Sequence, residues 1–549
     1  MNNCVNKLSE LLGKEESQLN KKIDENNTPF LFTDLIKSID YYWLAEYKDK
    51  NKYEHFLNCG FPYFLKQFYK TSSFNEPFLP TIPSTPNSLS FCHYYLWKYG
   101  KHRFVERYTN LVKTNDVCLS EISENNFEFR ASSQSMLELI ENQSIDNYFQ
   151  IMKEYVLKSK IDQQKSQKSR ILKSLNREVS IWKNDYIKYG STPQIDNYYH
   201  TEGYIHMVST QLYDDFKEDF TFGGIPYKHI LDVVQSVIGV AIKHIDACLL
   251  LCNKKASINL YNILSIPVII DEISLSYSHY LDIDIEYVKE ILNLLVVSKE
   301  NIEEHLNEDK DFSPPFIQIG PRFVYRSVKG CLGAPILFLQ NELKRKYPTD
   351  YFNWINEREE LFRNQLYLLF KSNNLIKINR NIELNTNGIR TDIDAVIYDK
   401  ETKSLGLFQL KWQDKYAANL KARRSRISNF YPKAKEWIEK MVRWKSLVDH
   451  KEILSALNIN DTKISNIYLF VIGRYNTHFS NQEIDDRAAW GSWYHVAELS
   501  YKIRTDFNDP IRELYFKLKL DSPLNKKLLD EPIEYKVELD NCSVTYKYG

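Results

Sequence analysis

Few residues in this chain break regular structure. Sixteen glycines and 18 prolines in 549 residues exclude collagen-like, Gly/Ser-linker and Pro-rich low-complexity architectures. An excess of charge of one sign is also missing: 72 Lys and Arg balance 72 Asp and Glu. No global field therefore draws the molecule to nucleic acid or to an anionic membrane, and any such attraction must be local. The eight cysteines include no Cys-x-x-Cys pair, which excludes the usual spacing of structural zinc and of dithiol redox sites and fits a reducing, cytoplasmic setting. Met1-Asn2-Asn3-Cys4-Val5-Asn6-Lys7 has no apolar signal core. The longest apolar stretch, Leu231 to Cys252, is interrupted by Gln235, Lys243, His244 and Asp246; it predicts a buried helix, with Cys248 and Cys252 in the core, and no membrane span. Walker A, G-x-G-x-x-G, H-E-x-x-H and G-x-S-x-G patterns are all absent. His200, His206 and His229 are not spaced as metal ligands.

What is present is enough apolar sequence, 43%, to pack two to four domains. Helical spacing dominates residues 1 to 310, so this part is expected to be a mostly α-helical region of unknown role. It has candidate breaks at 72–88, where Pro77, Pro80, Pro83 and Pro86 cluster, and at 189–193. Lys158 to Arg177, rich in Lys, Gln and Ser, is expected to be an exposed helix or a connector. Residues 311–345 are expected to be a connector containing a short hairpin, residues 346–500 an α/β domain, and 501–549 a C-terminal extension. The fold class is thus α+β and multidomain.

The chemistry concentrates in two runs, Thr391-Asp392-Ile393-Asp394-Ala395-Val396-Ile397-Tyr398 and Gly406-Leu407-Phe408-Gln409-Leu410-Lys411-Trp412. Both are apolar and strand-like, and the polar stretch Asp399 to Ser404 between them predicts a hairpin. Strand side chains alternate, so Gln409 and Lys411 share a face, and pairing would bring Asp394 to them. A Lys in an apolar strand also calls for a facing acid, because a buried ammonium without a partner is costly. An acid, an amide and an ammonium converging at one sheet edge suit a Mg²⁺ site with a Lys beside an attacking water. Before these strands, Phe362, Leu366, Leu369 and Phe370 predict a helix, and Leu375 to Leu384 predicts a strand.

The acid followed by Gln-x-Lys, in this strand context, resembles the PD-(D/E)xK nuclease superfamily in the Gln variant found in Mrr-like restriction enzymes. The resemblance covers residues 350 to 475. It implies a restriction-endonuclease-like domain with a central mixed sheet, Mg²⁺ or Mn²⁺ as cofactor, and phosphodiester hydrolysis. Asp394 would hold the metal, helped by the Leu410 carbonyl; Gln409, in place of a second acid, would complete the metal shell; Lys411 would orient water. A Glu on the preceding helix often completes such sites. Glu359 borders the buried stripe and is preferred over Glu357 and Glu360, although all three also read as solvated acids near a helix N-terminus. The resemblance further implies a bacterial restriction or antiphage-defence role, and leaves open an RNase or a silent nucleic-acid-binding scaffold.

From Lys411 to Lys445, eleven Lys or Arg face three acids, a local charge of +8. Lys415, Lys421, Arg423, Arg424 and Arg426 form the candidate nucleic-acid surface, with DNA favoured. Trp437, Met441 and Trp444 of the same segment are spaced for a core. Ile464 to Gly473 predicts a further buried strand, and Arg474 and His478 beyond it are expected to approach the site. A protein partner or trigger acting through the N-terminal region, and homo-oligomerisation, are left open.

Overall fold

Between Leu375 and Ser492 five short runs, rich in β-branched and aromatic side chains, assemble into one mixed sheet. They are β1 (Leu375–Lys377), β4 (Ala395–Asp399), β5 (Ser404–Lys411), β6 (Asn466–Gly473) and β7 (Ala489–Ser492), in that spatial order. β1–β4 and β4–β5 are antiparallel; β5–β6 and β6–β7 are parallel. Between β1 and β4 the chain makes a separate two-stranded ribbon, β2 (Ile382–Thr386) with β3 (Ile389–Ile393). These are features of a computed structural model. It describes all residues except 1, 27–28, 50–53, 72–81, 114–115, 132–136, 184, 307–313, 387, 414–419, 480–481, 504–507, 526–532 and 549.

β5 is buried along almost its whole length, as expected of a central strand covered on both faces. Helix α1 (Pro335–Lys346) leads into α2 (Pro348–Leu368), which starts with proline, where a missing N–H costs nothing. Phe362 and Leu366 of α2 pack on Phe408 and Leu410 of β5. The same face takes Val496 of α4 (Trp493–Ile503) and Ile511 of α5 (Pro510–Leu520). Phe408 stacks on Phe470 with ring centroids 4.4 Å apart. The opposite face is covered by α3 (Leu420–Leu447), whose Phe430, Trp437, Met441 and Trp444 meet Leu405 and Leu407. The three α3 core positions predicted from spacing are therefore buried.

Residues before 335 are mostly helical, as expected, and built around the helix Tyr227–Lys254. It crosses the helix Pro193–Thr210 at Gly203 and Gly239, where an added methyl at Gly203 would stand 2.3 Å from the Gln235 carbonyl oxygen. Among the described residues this central helix alone is long and apolar enough to cross a membrane, and 67% of its most apolar window is buried within the protein. Cys248 is buried and Cys252 half-buried. The helix Lys158–Glu178 is largely exposed, as its composition predicts.

Four expectations need correction. Leu375 to Leu384 is not one strand: Asn379, Arg380 and Asn381 separate β1 from β2, and the two belong to different sheets. The hairpin Phe316–Gln318/Phe323–Arg326 exists but is no connector. It joins Ile266–Ile269 and Val296–Val297 in a four-stranded sheet whose side chains enter the N-terminal cores. The boundary at 500 is crossed, since α4 and α5 pack on the central sheet. Residues 501–549 are not an extension: Ser543–Tyr548 lies parallel to Asn126–Ala131, within the sheet that also holds Cys118–Ser123 and Ile533–Glu538.

Candidate functional site

Asp394 sits where the chain leaves the β2–β3 ribbon and enters the central sheet. Its N–H donates to the Phe408 carbonyl at 3.1 Å, and the β4–β5 register that follows sets it opposite Gln409. The expected hairpin thus forms, and it brings the acid and the amide together: Gln409 Nε2 donates to Asp394 Oδ2. The Leu410 N–H donates to the same oxygen at 2.7 Å. No described residue donates a hydrogen bond to Asp394 Oδ1.

Asp394 is only 3% exposed. Burial pushes its pKa up, from 3.8 to about 7; the Lys411 ammonium and the Leu410 N–H pull it back, and the negative charges of Asp392 and Glu359 push it up further. Desolvation thus outweighs the attraction of half-buried Lys411. Glu359, exposed on α2, belongs to the electrostatic neighbourhood of Asp394. Glu357 and Glu360 turn elsewhere, toward Lys217 at 3.7 and 3.0 Å.

Three positioning groups escaped sequence reasoning. Arg363 Nε donates to the Asp394 carbonyl at 2.5 Å, Arg358 Nη2 to the Trp412 carbonyl at 2.6 Å, and Trp437 Nε1 to the Asp392 carbonyl at 2.7 Å. Arg363 was within reach of helical periodicity, because it stands one turn after Glu359 on the same face.

The Arg474 N–H donates to the Lys411 carbonyl at 2.9 Å, but the side chains of Arg474 and His478 are held by other partners. The Arg474 guanidinium is fully buried, 2.9 Å from Asp214 Oδ1 and 3.5 Å from Asp215 Oδ1, and donates to Gln365 Oε1 at 2.8 Å. The rings of Trp412 and Trp493 flank it at 4.9 and 4.7 Å. His478 is held by Glu141 at 3.1 Å, in a buried cluster with Thr477. Both residues tie the sheet to the N-terminal region. Likewise His200 bonds Ser236 and His206 the Leu332 carbonyl. Lys415 lies outside the described residues, and so do the side chains of Lys421, Arg423, Arg424 and Arg426, whose backbone forms the start of α3.

In kind, the donor set suits a hard divalent cation. Its groups offer oxygens, Asp394 keeps one oxygen outside any hydrogen bond from a described residue, and neighbouring acids make a cation favourable there. In number it is sparse. Among the described residues no three Asp, Glu, His or Cys side chains group closely enough to hold an ion, so water and substrate oxygens would have to complete the shell, as is common for Mg²⁺. No family model matches this chain, and no curated protein and no solved structure matches it.

Proposed function

We propose that this protein is a metal-dependent phosphodiesterase acting on DNA, of the PD-(D/E)xK type in its Gln-x-Lys form. The observation that carries the reading is the meeting of Asp394 and Gln409 at the entry to the central sheet, with Lys411 on the same face. The succession of α2, three antiparallel strands, α3 and a parallel strand supports a restriction-endonuclease-like domain. Attachment to a large helical region supports a cytoplasmic restriction or antiphage-defence role, with a trigger or partner reaching the protein through that region.

In this reading Asp394 and Glu359 would hold the cation, Mg²⁺ or Mn²⁺. Bound there, it supplies Lewis-acid stabilisation of charge on a phosphate oxygen. Gln409 and the Leu410 N–H fix Asp394 by Oδ2, so the carboxylate is aimed before the cation arrives. Arg363 anchors the Asp394 backbone. The Lys411 ammonium orients water and offsets charge developing on phosphate. The start of α3, with Lys421, Arg423, Arg424 and Arg426, follows the phosphate backbone.

One observation favours a second reading. Gln409 spends a donor on Asp394, and the acids are sparse, which also suits a silent fold that binds nucleic acid without cutting it. Cleavage of supercoiled plasmid, linear DNA and RNA with Mg²⁺ or Mn²⁺, by wild type and Lys411→Ala, separates the readings. Metal-dependent DNA cutting lost in the variant is expected. Cutting of RNA alone would move the substrate class. Metal-independent binding without cutting of any substrate would establish the silent fold.

A further inference from the structure

A cavity of about 330 Å³ opens where the N-terminal region meets the central sheet. That volume suits one small ligand. Its wall combines two chemistries. Trp354, Trp412 and Tyr475 contribute aromatic surface, and Lys344, Arg345 and Arg358 contribute cationic heads.

The wall is built in advance. Glu342, 2% exposed, accepts from Arg345 Nε at 3.0 Å and Nη2 at 2.6 Å, and lies 2.8 Å from His305 Nε2. His305 is stacked on Phe338, with centroids 4.1 Å apart. A buried carboxylate therefore sets the orientation of Arg345 and His305, and the Glu342 carboxyl is held below its ordinary range despite its burial. The other acids of the wall are answered from within the protein: Asp215 by Arg474 and Tyr475, and Glu304 by Arg345 at 3.6 Å. Arg345 Nη1 donates to no described residue. A fixed guanidinium with a donor to spare suits an anion, and a planar, delocalised head matches phosphate geometry in particular. Buried aromatic surface beside it suits a flat ring.

We propose that this cavity binds a nucleotide, its base against the tryptophan wall and its phosphate on Arg345. The position also implies an effect on the candidate site. Arg358 precedes Glu359 on α2, Trp412 follows Lys411 on β5, and the hydrogen bond from Arg358 to the Trp412 carbonyl clasps the two elements beside the cavity. An occupant that draws on Arg358 would change how Lys411 stands relative to Glu359. This regulatory step rests on the nuclease reading; the binding step does not.

The test is calorimetry on the full chain with AMP, ATP and GTP, and with adenosine and inorganic phosphate as fragments. Micromolar binding of at least one nucleotide is expected. Either fragment should bind at least about tenfold more weakly, and so should that nucleotide to Arg345→Gln. Lys344→Ala, at an exposed position, gives a second variant should Arg345→Gln lose its melting transition. Lys411→Ala should bind as wild type does, which keeps this result apart from any failure to cleave DNA. No binding of any nucleotide at about 1 mM, or affinity unchanged in both cavity variants, would overturn the proposal.

Discussion

Replacing Asp394 with Asn removes a charge that burial holds at a disadvantage, and the size of the effect can be worked out. The folded carboxyl binds its proton more tightly than the unfolded one, with a pKa of about 7 against 3.8. Its contribution to stability is therefore fully present below pH 3.8 and is lost as pH rises through about 7. At about 1.4 kcal/mol per pH unit, the loss reaches about 4 kcal/mol by pH 8 and is about 2 kcal/mol at pH 5. Asn keeps the shape and can accept from the Leu410 N–H, while the Gln409 amide can turn to present its oxygen. Asp394→Asn should then be more stable than wild type at pH 8 and lose most of that advantage by pH 4. With about 2.1 cal/mol/K per residue, a chain of 549 residues unfolding together would gain about 3–4 °C in Tm at pH 8. Thermal unfolding from pH 4 to pH 9, with and without Mg²⁺, reads it out. The metal should raise Tm for wild type at pH 8 and leave the variant unmoved. A variant no more stable than wild type at pH 8, or an advantage independent of pH, would refute the argument that desolvation dominates at Asp394.

Three further outcomes follow from the same geometry. A cation must displace the proton of Asp394, so the Mg²⁺ concentration for half-maximal cleavage should fall about tenfold per pH unit up to pH 7 and level off above it; a flat titration between pH 5.5 and 7 would place the metal elsewhere. Arg474→Ala strips the guanidinium from between Asp214 and Asp215 and should cost about 3–5 kcal/mol in urea unfolding, because the partners stay partly buried without it; a cost below about 1 kcal/mol would show that the aromatic cage, not the charge, holds that junction. Reversing Arg423, Arg424 and Arg426 to Glu should weaken DNA binding measured by anisotropy and reduce the log–log salt slope by about 2–3, and an unchanged slope would remove the start of α3 from the phosphate contacts.

The parts that could be read in the sequence are those whose partners lie close by in the chain. Asp394 and Gln409 are fifteen positions apart with a polar turn between them, so the hairpin could be read from the turn and the shared face of Gln409 and Lys411 from alternation, while the register came from the fold. Trp437, Met441 and Trp444 carry helical spacing and are buried. Some local signals were present and passed over. Asn379-Arg380-Asn381 breaks an apolar run and does end a strand, and Glu124-Asn125 turns a hairpin, with Asn125 at φ 56°. Distant pairings left no local trace. Arg474 looks like a cation at a strand end near a catalytic edge. Only the fold reveals carboxylates 259 and 260 residues away that claim it first. The pKa of Asp394 was also out of reach, since it is set by burial, and a spacing argument can name neighbours but not the water they exclude.

The pairing of Ser543–Tyr548 with Asn126–Ala131 orders events in time. At about 5–20 residues per second, a ribosome takes roughly 20–80 s to reach the later strand after finishing the earlier one. Throughout that interval the Asn126–Ala131 strand has a bare edge, an invitation to pair with another chain. Both elements that carry the candidate chemistry, β4 and β5, are synthesised inside this interval. The sheet that joins the first quarter of the sequence to its final residues closes only afterwards, so a nascent chain would hold Asp394, Gln409 and Lys411 well before its two distant segments have met.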